Sequence, residues 1–254
     1  MNTAVIITTY NWPRALHLVL ASVARQTHLP SEVIVADDGS SAGTRATVEK
    51  WSSHLPIKHV WVPDRSFRAA RVRNLAILKS SADHLILVDG DCILPPNFVS
   101  AHRTLVGGRH LVAGGRFLMS EAETKKVISP HSKKTVPAFL GWKFKSIPLG
   151  ILRDLRPRNW SQVRTCNLSL MRDDLFQVGG FDEAYIGWGR EDSDLVIRLI
   201  RSGVAVRSGR LAACVKHLHH GEGTKSKLGF NEAQFEILRD RVTQVLPERS
   251  SLEN

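Results

Sequence analysis

No run in this sequence approaches the ~18–20 consecutive apolar residues that a bilayer-spanning helix requires, so no transmembrane anchor is expected. Cysteine is scarce. Cys92, Cys166 and Cys214 are odd in number and widely spaced, which argues against a disulfide framework and fits a reducing cytoplasm. Met1 to Tyr10 lacks the basic flank and cleavage site of a signal peptide and reads as a first strand. There is no internal repeat and no low-complexity segment. Glycine (18) and proline (11) are too few for a disordered chain, and a hydrophobic content of 43% over 254 residues suits a full globular core. Acidic residues are in short supply: 24 against 35 basic ones leave a formal net charge of +11. That excess points to a polyanionic partner (nucleic acid, an anionic membrane face or a phosphorylated substrate) without choosing among them.

What is present is an alternation of short β-branched runs with helical patterns, the mark of βαβ units and a mainly parallel sheet. Strands are expected at Ala4 to Thr8, Glu32 to Ala36, Ile57 to Val62, His84 to Val88 and Leu111 to Phe117. Helices are expected over Trp12 to Gln26, Thr44 to Ser52, Ser66 to Lys79 (with Ser66 as cap) and Ser193 to Ser202, closed by Gly203. Residues 222–254 suggest a polar helix and a tail. Three clusters then fall just after strands: Thr8-Thr9-Tyr10-Asn11, Asp37-Asp38-Gly39-Ser40 and Asp89-Gly90-Asp91. Open parallel sheets bind ligands beyond the carboxyl ends of their strands, so this shared placement points to one site.

Each cluster admits two readings. Asp89 and Asp91, two carboxylates at i and i+2, can hold a hard cation, or can be an acidic turn. Asp37 and Asp38 can flank a nucleoside through its base or ribose, or can be an exposed turn pair. Arg71 and Arg73, early in a helix, can reach a diphosphate, or can belong to a solvated basic face. Glu191, Asp192 and Asp194 can be ordinary first-turn acids. Alternatively, one of them is a general base kept ionised by the helix N-terminus, with Trp188 offering an apolar face to a sugar ring. The run Lys216-His217-Leu218-His219-His220 can supply a neutral imidazole to a metal, whereas a zinc site with Cys214 would lack a second cysteine nearby.

TTYNWP, VADDGS and VDGDCILPP together resemble the nucleotide-binding half of the family 2 glycosyltransferases. FRAARVRN resembles the segment before the metal motif in that family and in β-1,4-galactosyltransferases. VGGFDEAYIGWGREDSDLVIRLIRSG resembles the C-terminal motif of β-1,4-galactosyltransferases and of chondroitin-polymerase-like enzymes. The resemblance covers roughly residues 3–120 and 164–221. It implies the GT-A fold, an α/β architecture with a mainly parallel open sheet flanked by helices. Residues 1–110 would be the nucleotide-sugar half, residues 111–221 the acceptor and catalytic half, and residues 222–254 a helix and tail. It further implies an inverting, metal-dependent transfer of a hexose or N-acetylhexosamine from a UDP-sugar. In that transfer Thr8, Tyr10, Asp37, Asp38, Arg71, Arg73, Asp89 and Gly90 hold the donor. Asp91 and Asp89, with His217 and then His219, hold Mn²⁺ or Mg²⁺. Trp188, Gly189 and Glu191 meet a glycan or lipid-linked acceptor, and Asp192 is the base.

Residues 121–164 are basic, expected to be irregular, and match nothing in that family. Lys and Arg alternate with Trp, Phe, Leu and Ile from Trp142 to Trp160, which suggests either peripheral docking on an anionic inner-membrane face or a loop over the acceptor site. A nucleotidyltransferase would want a Gly-rich basic loop after the first strand, where Tyr10-Asn11-Trp12-Pro13 stands. No nucleic-acid motif accompanies the positive charge, so nucleic acid is not the expected partner. A catalytically silent relative that only binds glycan or nucleotide would not need intact Asp89, Asp91 and Asp192.

Overall fold

The computed structural model describes residues 1–129, 160–221 and 228–240. The Trp142 to Trp160 stretch lies outside them apart from Trp160 itself. In chain order come β1 (Thr3–Thr9), α1 (Pro13–Val23), β2 (Glu32–Asp37), α2 (Ala42–Trp51) and β3 (Ile57–Trp61). Next are α3 (Ala69–Lys79), β4 (His84–Asp89), β5 (Cys92–Ile93), α4 (Phe98–Leu105), β6 (His110–Leu118) and α5 (Glu121–Ile128). A single 3-10 turn, Trp160–Gln162, leads to β7 (Asn167–Met171), α6 (Arg172–Gln177), α7 (Glu191–Arg201), β8 (Ala205–His217) and α8 (Leu228–Asp240).

The described strands form one sheet in the order β3-β2-β1-β4-β7-β6-β8-β5. β1 is apolar on both faces because both are covered, as parallel strands require. Ile6, Ile34, Leu85 and Leu87 meet Val72, Ala76 and Ile77 of α3 and Leu195, Val196 and Leu199 of α7. On the opposite face Val5, Ile7, Val33, Val35, Ile86 and Val88 meet Leu16, Val19 and Leu20 of α1, Val48 of α2 and Phe98 of α4. The chain winds β1, β2, β3 in one direction and then returns to place β4 on the other side of β1. β1 and β4 therefore flank a topological switch point. Parallel register sets Thr9 opposite Asp37 and Thr8 opposite Asp89, so all three sequence clusters end at one level.

The second half adds antiparallel pairs to a sheet that is, as expected, mainly parallel. β7 runs antiparallel to β4 and β6, and β5 antiparallel to β8, so the sheet is mixed. β6 and β8 are parallel, with a register shift between Gly114 and Gly115: Gly114 opposes Gly209, whereas Gly115 opposes Cys214. The bulge frees the carbonyls of Gly115 and Ala213. Asn167 satisfies both through Nδ2 (2.7 and 2.9 Å), and its Oδ1 lies 2.9 Å from Nε2 of His102. His102 is fully buried, and desolvation lowers its pKa to about 4. Two boundaries also differ. α3 starts at Ala69, not under a Ser66 cap, because Ser66 sits at φ 73°, outside any capping geometry. Residues 121–128, expected to be irregular, are helical, started by a capping box between Ser120 and Glu123. Among the described residues no helix is long and apolar enough to cross a membrane.

Asn167→Ala would strand two buried carbonyls and His102 at the bulge that aims the end of β8. Urea unfolding is expected to show a loss of roughly 2–4 kcal/mol, from an unsatisfied-group cost of about 1–3 kcal/mol each.

Candidate active site

The level at which β1, β2 and β4 end opens into a cavity of about 660 Å³. Thr8, Tyr10, Asp38, Arg73, Asp89, Gly90 and Asp91 line it, together with Arg116, Leu118, Trp188, His217 and His220. The first two clusters are tied together at the rim. The backbone N–H of Asn11 donates to Ser40 Oγ at 2.8 Å, and Ser41 N–H donates to Asn11 Oδ1 at 2.9 Å. Gly39 is required where it stands: its φ is 94°, and a Cβ there would lie 2.5 Å from the Asp64 backbone. Gly90 donates its N–H to the Thr8 carbonyl at 2.7 Å, and a Cβ would fall 2.9 Å from Thr9 Oγ1, so any side chain would crowd the cavity floor.

Arg73 is the centre of the polar wall. It is 4% exposed; Nε donates to Thr8 Oγ1 (3.1 Å), Nη1 to Glu191 Oε1 (3.1 Å) and Nη2 to Asp89 Oδ1 (3.3 Å). Burial disfavours its charge, but Asp89 and Glu191 outweigh that, so its pKa is raised and the guanidinium stays charged.

β8 crosses the sheet to reach the same place. Its end pairs with β5, setting His217 opposite Cys92, and Leu218 N–H donates to the Asp91 carbonyl at 3.0 Å. Nε2 of His217 lies 3.6 Å from Asp91 Oδ1 and Nε2 of His220 lies 3.3 Å from Oδ2. The ligand atoms of Asp91, His217 and His220 all fall within 4.8 Å of one another, close enough to share one ion. One carboxylate and two imidazoles fit a borderline divalent ion such as Mn²⁺ better than Mg²⁺ or Ca²⁺, which favour oxygen alone. Burial raises the Asp91 pKa; the field of His217 offsets part of this and that of Asp89 adds to it. A cation would relieve the strain.

α7 begins at the far side of Arg73. Glu191 is buried under the guanidinium. The carboxylate of Asp192 accepts from Ser193 N–H at 2.8 Å. Burial raises both pKa values; Asp192 adds to the rise of Glu191, while Arg164 and Arg73 temper that of Asp192. A carboxylate with elevated proton affinity, next in sequence to the Glu191 that Arg73 ties to the cavity, has the property a general base needs.

The Glycosyl transferase family 2 model matches residues 4–180, most of the chain. The chain belongs to that family. A second model, described as the N-terminal domain of galactosyltransferase, matches residues 152–221. Validoxylamine A glucosyltransferase of Streptomyces hygroscopicus subsp. limoneus is 30% identical, over 82% of this chain and 49% of that protein. Chondroitin synthase of Escherichia coli is 26% identical, over 81% of this chain and 33% of that protein. The chain thus spans half or less of the length of these curated relatives. Among solved structures, S. aureus TarS 1-349 in complex with UDP superposes with a TM-score of 0.65 at 16% identity, covering 96% of this chain and 67% of that one. The mannosyltransferase PcManGT of Pyrobaculum calidifontis, in complex with GDP-Man and Mn²⁺, gives 0.65 at 17% identity, covering 97% and 66%. The fold is GT-A.

Within this family 2 chain, the expected residues do not all meet. Thr8, Tyr10, Asp38, Arg73, Asp89, Gly90, Asp91, Trp188, His217 and His219 line the cavity. Asp37 does not. Its carboxylate is taken by Ser40 N–H (2.8 Å) and His59 Nε2 (3.0 Å), which hold its pKa low despite burial. Arg71 points away, to Glu183 at 3.1 Å. Asp89 is engaged by Arg73 and is not one of the three metal-capable groups. His219 is not one either: His220 takes the place given to it, while the His219 backbone N–H donates to Thr124 Oγ1. Glu191, Asp192 and Gly189 sit behind the wall. Arg116, Leu118 and His220 line the cavity but were not singled out from sequence; only His220 had a signal there, as one of three clustered histidines.

Asp38 carries a testable electrostatic consequence. Burial raises its pKa to about 6, above the ordinary ~4, although Arg68 N–H donates to it at 2.7 Å. The folded state therefore holds the proton more tightly than the unfolded chain. The fold is penalised as pH rises past about 4, and fully so above about 6. Asp38→Asn keeps the acceptor and removes the charge. Urea unfolding is expected to show it more stable than wild type by roughly 2–3 kcal/mol near pH 8, with the gain gone at about pH 4.

Proposed function

We propose that the cavity carries out inverting, metal-dependent transfer of a hexose or N-acetylhexosamine from a UDP-sugar to a glycan acceptor. The observation that carries the reading is that Asp91, His217 and His220 form a metal-capable cluster in the cavity that Arg73 also lines, and Arg73 is bonded to Glu191, the residue before Asp192. Relatives are a glucosyltransferase and a chondroitin synthase by name, and similar structures hold UDP or GDP-Man.

Asp38, Tyr10 and Thr8 border the place for the nucleoside, and Asp91, His217 and His220 would hold Mn²⁺. Bound there, the ion would neutralise charge building on the departing diphosphate. Arg73 keeps Asp89 and the first turn of α7 in fixed relation, so donor and base keep their spacing. Asp192 takes the proton from the acceptor hydroxyl. That oxygen then bonds to the anomeric carbon on the face opposite the leaving group, and the electron pair of the broken bond goes to the diphosphate oxygen. One displacement inverts the centre. Trp188, 48% exposed at the rim, offers its ring to the acceptor sugar.

UDP release from a panel of UDP-sugars, with and without Mn²⁺, tests the donor and the metal. Metal-dependent release of UDP from one donor, lost in Asp91→Ala, is the expected outcome; no metal-dependent nucleotide binding in the wild type would refute the reading. Asp192→Asn is expected to keep UDP affinity within a few-fold while lowering transfer by roughly 10²–10⁴, the usual share of a general base. Equal loss of binding and transfer would remove Asp192 from that role.

A further inference from the structure

None of the cavity-lining residues comes from α8, yet α8 holds the loop that presents Trp188. That loop is left-handed at three of four consecutive positions: Gly187 (φ 85°), Gly189 (103°) and Arg190 (80°). Such a backbone belongs to no helix or strand, so its carbonyls need partners from elsewhere. They find one side chain. Nδ2 of Asn231, fully buried, donates toward the carbonyls of Ile186 (3.2 Å), Gly189 (3.1 Å) and, at longer range, Trp188 (3.4 Å). Two N–H protons serve three converging acceptors, while Oδ1 of the same amide is buried without a hydrogen-bond partner.

The neighbouring contacts brace the same loop. Arg190 forks onto Glu232, with Nε–Oε1 and Nη2–Oε2 both 2.8 Å, and its guanidinium lies 4.8 Å over the Phe235 ring. From the opposite side, Gly187 N–H donates to the Phe67 carbonyl at 2.8 Å. Phe235 itself is buried against Tyr185 and Ile197, which fixes the height of α8. An amide suits this position. A carboxylate at 231 would face three carbonyl oxygens with no proton to give, and an alanine would remove the shared donor.

We propose that Asn231 is a positioning residue that sets acceptor affinity by fixing the Ile186–Gly189 backbone, and with it the Trp188 ring, at the cavity rim. The inference rests on the reading that the cavity is a transfer site whose acceptor meets Trp188.

The test uses the full chain labelled with 5-fluorotryptophan, with the Trp188 resonance assigned by Trp188→Phe. Asn231→Ala and Asn231→Asp are compared with Gln234→Ala, which removes a different tie of α8, to Asp182 (3.1 Å), and leaves the loop contacts in place. The probes are UDP with Mn²⁺ and a panel of methyl β-glycosides. In the wild type and Gln234→Ala, at least one glycoside is expected to move the Trp188 resonance. In both Asn231 variants that resonance shifts or broadens before any sugar is added, and the glycoside binds at least about tenfold more weakly, or about 1.4 kcal/mol. UDP–Mn²⁺ affinity stays within a few-fold. An unchanged Trp188 resonance in Asn231→Ala would overturn the proposal, as would a Gln234→Ala chain that behaves like the Asn231 variants. A wild-type Trp188 that responds to no glycoside would overturn the link to the acceptor. If the wild type binds no UDP–Mn²⁺, the transferase reading falls, while the resonance still reports whether Asn231 holds Trp188.

Discussion

A permanently charged guanidinium buried where two strands end and a helix begins is the constraint on which the site depends. Arg73 is 4% exposed, and an arginine cannot escape burial by losing its proton, so the fold must surround it with acceptors. It does so with Thr8 from β1, Asp89 from β4 and Glu191 from α7, groups separated by as many as 118 positions in sequence from Arg73. Each partner is also constrained. If Arg73 is removed, two carboxylates face each other without a cation; if Glu191 is removed, the start of α7 loses its anchor to the nucleotide half. The Arg73–Glu191 pair is thus a weak stabiliser in net terms but a strong statement of geometry, since it fixes where Asp192 stands relative to the ends of β1 and β4.

The parallel half was legible because its physics is local. EVIVA and HLILV read as strands buried on both faces, and the clusters that follow them stand at strand ends. The mixed half was not. β8 sets Arg207, Arg210 and Lys216 around an apolar run from Leu211 to Val215, is interrupted by a bulge just after Ser208-Gly209, and has partners of both directions, so its thirteen residues carry no clean period. β7 is only five residues long and gains its meaning from Asn167, whose acceptors lie on β6 and β8.

The same division explains the site. Arg71 and Arg73 were both candidates, but two positions on a helix differ by about 200°, so only one could face the sheet. The resemblance named His217 and then His219 as metal ligands, yet β8 ends at His217 and the chain beyond it brings His220 to Asp91 instead. Asp37 sits in a motif that resembles nucleotide-binding sequences, but β3 places His59 against it, a long-range pairing that no local pattern encodes.

Charge completes the account. The chain carries an excess of +11, while the cavity gathers Asp38, Asp89 and Asp91 against Arg73 and Arg116. The global excess can draw a nucleotide diphosphate toward the protein, since fields of that kind act over distances up to a Debye length. At the cavity itself, an approaching diphosphate would meet these carboxylates, and Arg73 is already committed to Asp89 and to Glu191. Burial is the main cause of the elevated proton affinities of Asp91, Glu191 and Asp192, and neighbouring carboxylates add to it. On the proposed transferase reading, a site so composed would favour a diphosphate only together with a cation, and Asp91, His217 and His220 are the residues that would hold it. Attraction from the whole surface and retention by a local ion would then be separate tasks carried by separate residues.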